Sequence, residues 1–209
     1  MTATLQHGHG DDHSHSHIHL EHAPAEVMGY LNDRPVPRAL LDERLATLRA
    51  SDVACVLPRP DSREGRQLAR WVAQVVLTEQ LCIDELARRE AVVPAAPARP
   101  LDVSTAIAVG SITAAALTAS EPVRRLAALV SQDVRIPRAQ LEYAADVLGE
   151  EPPDDPDVAV AHWHAELLDS ARLESFARWL NAATHERVRL VHGLEHPGDS
   201  SQPDNLHRH

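Results

Sequence analysis

Apolar residues recur at helical spacing along most of the chain between residues 38 and 184. Leu41, Leu45 and Leu48 predict a helix over 38–50. A longer stripe of Leu68, Trp71, Val72, Val75, Val76, Cys82, Ile83 and Leu86 predicts the strongest helix, over 63–90. Asp61 or Ser62 suits its N-cap. Residues 101–130 are small and helix-forming, and Glu121-Pro122 begins a new helix there, because proline fits a first turn. Residues 138–148 read as a further helix. Residues 158–184 read as the last one, with Trp163, Leu167, Leu173, Phe176 and Leu180 along its inner face. Only 26–31 and 187–191 alternate in the manner of strands. Pairing these two would bring both ends of the chain to one side of the molecule. Asn32-Asp33 reads as a turn, and Pro35-Val36-Pro37 as extended backbone. The breaks at 51–62, 91–100 and 150–157 are loops rich in proline, the last of them acidic. The expected fold is mainly α with a small two-stranded β pairing.

Composition narrows this picture. With 44% hydrophobic residues in 209, the chain can bury one core; with 3% aromatics, that core is built from Leu, Val and Ala. A net charge of -11 disfavours nucleic acid as a partner, because phosphate backbones are repelled. No apolar run approaches the roughly 18 residues of a membrane span, and no basic-then-apolar leader opens the chain. A cytoplasmic location is expected. Cys55 and Cys82 form no CxxC pair, so neither a thiolate metal site nor a redox motif is suggested.

Histidine changes the picture most. All 14 lie near the ends, with none between Ala23 and Ala161. His7, His9, His13, His15, His17, His19 and His22 form a low-complexity tract beside Asp11, Asp12 and Glu21. Such a tract builds no core, and reads as a disordered tail over 1–23 that binds metal with low specificity. The helical domain follows over 24–191, and a His/Asp-rich segment over 192–209. In that last segment the turn formers Pro197-Gly198 and Pro203-Asp204 fold the chain back. His192, His196, His207, His209, Asp199 and Asp204 are then candidate ligands for a divalent transition metal: Zn, Ni, Cu or Fe. His162 and His164 point roughly 200° apart on a helix, so they cannot chelate one ion together. Glu79, on the apolar face of the strongest helix, and Glu195 are candidate acid/base groups. For Glu79 an arginine partner is the commoner arrangement.

Several stretches resemble the helical parts of bacterial chaperone-isomerases of the SurA/parvulin type. They are GYLNDRPVPRALLDERLATL, GRQLARWVAQVVLTEQLCIDELARRE, VRIPRAQLEYAADV and LESFARWLNAATHERVRLV, together spanning about 26–191. The isomerase domain of that family is missing: about 101–135 reads as helix and lacks its glycine-rich strand motifs. The resemblance therefore implies a SurA-N-like helical scaffold with its chain ends together, and carries over no catalytic residue. The ending EHPGD…QPDN.H.H is similar to that of a group of actinobacterial proteins of no established activity.

Three functions remain open at this point. One is a metal-binding, chaperone-like accessory protein, whose partners are a metal ion and a client protein or small molecule. A second is a metal-dependent enzyme of an actinobacterial biosynthetic pathway, using the C-terminal His/carboxylate site, although HExxH, GxSxG and GxGxxG are all missing. A third is a metal-free peptide-binding chaperone module.

Overall fold

The computed structural model describes residues 26–90, 103–148 and 156–199. Strands β1 (Val27–Leu31) and β2 (Arg34–Pro37) form a hairpin closed by Asn32 and Asp33. Both turn residues have positive φ, 50° and 61°. That is the type I′ pattern, whose twist matches the flanking strands and which Asn and Asp tolerate. Strand β3 (Val188–Leu190) lies on the other side of β1, antiparallel, with Gly29 opposite Leu190, Tyr30 opposite Arg189 and Leu31 opposite Val188. The pairing expected between 26–31 and 187–191 is present. The sheet has a third strand because the tight turn sends Pro35-Val36-Pro37 straight back along β1. The Arg38 N–H donates to the Glu26 carbonyl at 2.6 Å, so the even-numbered residues of β2 face β1. Pro35 and Pro37 therefore face outward, and the free edge offers no N–H donor to another strand.

The rest is helical. Helix α1 (Ala39–Arg49) and a 3-10 segment (Asp52–Val56) lead to α2 (Arg63–Arg88). After residue 102 come α3 (Val103–Val109), α4 (Ser111–Ala119), α5 (Glu121–Val130), α6 (Arg138–Leu148) and α7 (Pro156–Arg187). Helix α2 is central and touches α1, α4, α5, α7 and β1. Every residue from Val72 to Glu79 is buried. A helix with neighbours on several sides buries its whole circumference, so the single apolar stripe expected for it gives way to all-round burial. Ile83, expected in that stripe, is 44% exposed.

The start of α2 is set by Ser62, whose Oγ accepts the Gly65 N–H at 3.0 Å and donates to the Arg59 carbonyl at 2.7 Å. A Cβ on Gly65 would lie 1.9 Å from that same carbonyl, so this turn requires glycine. Met28, Leu41, Leu81, Cys82, Val123, Leu126 and Phe176 fill the core, and Phe176 stacks on Trp179 with centroids 6.1 Å apart. Cys55 and Cys82 are both free. Burial, with the charges of Glu79 and Glu85 adding to it, pushes the Cys82 thiol up to about 12, so it serves as a small core residue.

The sheet is locked to the helices by ion pairs at the C-terminal end of α2. Glu85 is buried, and its carboxylate accepts from Arg88 (2.9 and 2.7 Å), Arg89 (2.5 Å) and Arg187 (2.6 Å). Asp84 beside it receives Arg187, Arg34 and the Asn32 amide. Arg187 also donates to the Asn32 Oδ1 at 3.0 Å, while its carbonyl accepts the Asn32 N–H at 2.9 Å. One arginine at the α7–β3 junction thus joins the hairpin turn to α2.

Burial alone would raise the Glu85 carboxyl, but the hydrogen bonds from Arg88, Arg89 and Arg187 outweigh it and hold the group at about 2, against 4.5 unfolded. Because the folded value is the lower one, this stabilisation is complete above about pH 4.5 and is lost as pH falls toward 2. It amounts to about 3 kcal/mol. Glu85→Gln is expected to lower stability at neutral pH by about 3 kcal/mol and to flatten the pH dependence between 2 and 4.5. Urea titrations at a series of pH values measure both; a variant that keeps the wild-type acid slope would show that Glu85 does not carry it.

Candidate functional site

Helix α7 continues through Arg187 directly into β3, further than the expected end near residue 184. Beyond β3 the chain does not leave the body. Val191 and Leu194 are buried in the main core cluster. The Arg70 Nε donates to the Gly193 carbonyl (3.4 Å) and the Gln74 Nε2 to the Leu194 carbonyl (3.1 Å). These two donors lie one helical turn apart on α2 and clamp the closing segment against it. Gly193, at φ 89°, makes the bend.

His192 and Glu195 meet across this bend. The Glu195 Oε1 lies 3.0 Å from the His192 Nδ1, and its Oε2 accepts the Gly193 N–H at 2.8 Å. Burial would raise the Glu195 carboxyl; its own backbone N–H, that of Gly193 and the His192 ring outweigh this and hold it below the usual carboxylate range. The His192 ring is 92% exposed. One turn further on, the His196 Nδ1 accepts the Gly198 N–H at 3.1 Å, and the Asp199 N–H reaches the His196 carbonyl at 2.9 Å.

Of the candidate ligands read from sequence, His192, His196 and Asp199 therefore share one short turn segment with Glu195. Asp204, His207 and His209 lie outside the described residues, as do His7, His9, His13, His15, His17, His19 and His22. Among the described residues no group of three or more His, Cys, Asp or Glu is arranged to hold a metal ion. His164 and the exposed His185 lie on α7, away from this turn in sequence. His162 is on the same helix, but its side chain lies outside the described ones.

Neither candidate acid/base group is free. The oxygens of Glu79 engage the guanidinium fork of Arg44 at 3.1 and 2.7 Å, tying α1 to α2. Glu195 spends one oxygen on His192 and the other on Gly193, so it orients an imidazole. Sequence reasoning missed Arg70 and Gln74. They lie on the face of α2 opposite the apolar stripe, where periodicity alone expects polar, solvent-facing residues, so no sequence signal marked them as buried.

A protein-family model, Family of unknown function (DUF7158), matches residues 27–64. That segment is the hairpin, α1 and the connection into the first residues of α2. No curated protein and no solved structure matches the chain. Among the described residues no helix is long and apolar enough to cross a membrane.

The clamp makes a direct prediction. Gln74→Ala removes the buried donor to the Leu194 carbonyl and is expected to cost about 1–2 kcal/mol. Amide exchange at Leu194–Gly198 should accelerate well beyond that of α2. Unchanged protection at those amides would mean the clamp does not hold the segment.

Proposed function

We propose that this is a metal-binding helical accessory protein whose two histidine-rich ends act together on Zn, Ni or Cu ions. The observation that carries this reading is the antiparallel pairing of β1 with β3. It sets Gly29 opposite Leu190, so the chain enters β1 and leaves β3 at the same end of the sheet. Seven histidines precede β1 and four follow β3. Imidazoles suit these borderline metals, and several weak ligands exchange an ion more readily than a closed four-ligand site. A net charge of -11 draws cations toward the surface. A chaperone-like role for the helical body rests on the resemblance to SurA-type proteins.

The test uses the full chain without an affinity tag. Titration with Ni²⁺ or Zn²⁺ is expected to show micromolar or tighter binding that a chelator reverses. Replacing the seven histidines before residue 23 with serine should lower the stoichiometry. Replacing His192, His196, His207 and His209 as well should abolish binding. Substoichiometric Cu²⁺ should broaden the NMR signals of Gly193–Gly198 along with those of the tail. No binding at micromolar metal would refute the reading; broadening confined to the tail would refute the shared action of the two ends.

A further inference from the structure

We infer that the closing turn sorts its two histidines into one that is set to take a metal ion, His192, and one that is not, His196, with Glu195 as the positioning residue. This rests on the metal-binding reading above and names the residue through which the folded body takes part. The chemistry of the partners fixes the roles of the ring nitrogens. A carboxylate only accepts, so the His192 Nδ1, 3.0 Å from the Glu195 Oε1, carries the proton and donates. In the neutral ring the Nε2 then holds a free lone pair, and a ring 92% exposed presents it to solvent. A histidine whose second nitrogen donates to a carboxylate is the arrangement that orients metal-bound imidazoles and raises their basicity.

His196 is the reverse case. A backbone N–H only donates, so the His196 Nδ1 accepts from Gly198 at 3.1 Å. Its Nε2 then carries the proton in the neutral ring. Neither nitrogen has a free lone pair unless the Gly198 bond is broken or the ring turns.

The geometry behind His192 is built from several directions. The Glu195 carboxylate is itself fixed by the Gly193 N–H, and the carbonyls of Gly193 and Leu194 are held by Arg70 and Gln74 of α2. The imidazole is thus mounted on the central helix through two layers of hydrogen bonds. Among the described residues no group of three or more ligands surrounds this ring, so His192 is assigned as a single ligand and not as a complete site.

The experiment uses the full chain with the seven histidines before residue 23 replaced by serine, so that the tail does not mask the turn. Zn²⁺ affinity is measured by competition with a chromophoric chelator. His192→Ala is expected to weaken binding at least tenfold, and His196→Ala less than threefold. Glu195→Gln should weaken it by about 10–100-fold, the usual cost of losing such an orienting partner. Imidazole ¹⁵N shifts of the metal-free protein supply an independent readout. His192 should appear as the Nδ1–H form and His196 as the Nε2–H form, with His192 losing its single form in Glu195→Gln. Equal losses for the two alanine variants, a larger loss for His196, or the opposite ring forms would overturn the inference while leaving the metal-binding reading in place. If the unaltered chain binds no Zn²⁺, both fall together.

Discussion

The buried carboxylate of Glu85 dictates much of the rest of the structure. Taking such a group out of water costs several kcal/mol, and only close, well-aligned partners offset that cost. Here Arg88 and Arg89 come from the same helix, but Arg187 comes from a segment about a hundred residues further along. The end of α7 must therefore reach the end of α2. Once there, Arg187 also meets Asp84 and Asn32, which places β3 beside β1 and orients the hairpin turn. The sheet would be too small to stand alone; three short strands become stable because one of them starts at an arginine anchored in the helical core.

The elements with the longest uninterrupted patterns were the most legible in sequence. Helix α6 coincides with the expected 138–148, and α2 begins where Ser62 indicates. The strand pairing was legible as well, because two alternating segments at opposite ends of a helical chain have few other partners. What escaped was the environment of α2. Periodicity reports which side of a helix is apolar, whereas Arg70, Gln74 and Glu85 are buried by neighbours that no local pattern reveals. The arginine expected beside Glu79 is present in Arg44, but the apolar stripe pointed to Glu79 and not to Glu85, the more deeply buried of the two.

The candidate site was partly legible. The turn expected at Pro197-Gly198 is present, flanked by His196 and Asp199, whereas the bend at Gly193 that brings His192 to Glu195 was not expected. Its internal order was not readable, because whether a ring nitrogen accepts or donates depends on atoms two or three residues away in space. Glu195 looked like a free carboxylate and is instead the partner of His192. That the chain stays packed on the body past residue 191 was likewise invisible to pattern, since a single leucine, Leu194, draws the following turn into the core.

The pairing of Gly29 with Leu190 joins positions near the two ends of the chain. Contacts of such sequence separation close a very large loop, and the entropy of closing it is recovered only once the intervening helices have packed. The entropy of loop closure thus makes the β1–β3 pair costly to form before the intervening helices have packed. In a metal-binding protein built this way, a nascent or partly folded molecule meets an ion only through neighbouring histidines of one end. On the proposed metal-binding reading, the combined grip of both ends would belong to the finished fold alone, and ion retention would report on the completeness of folding.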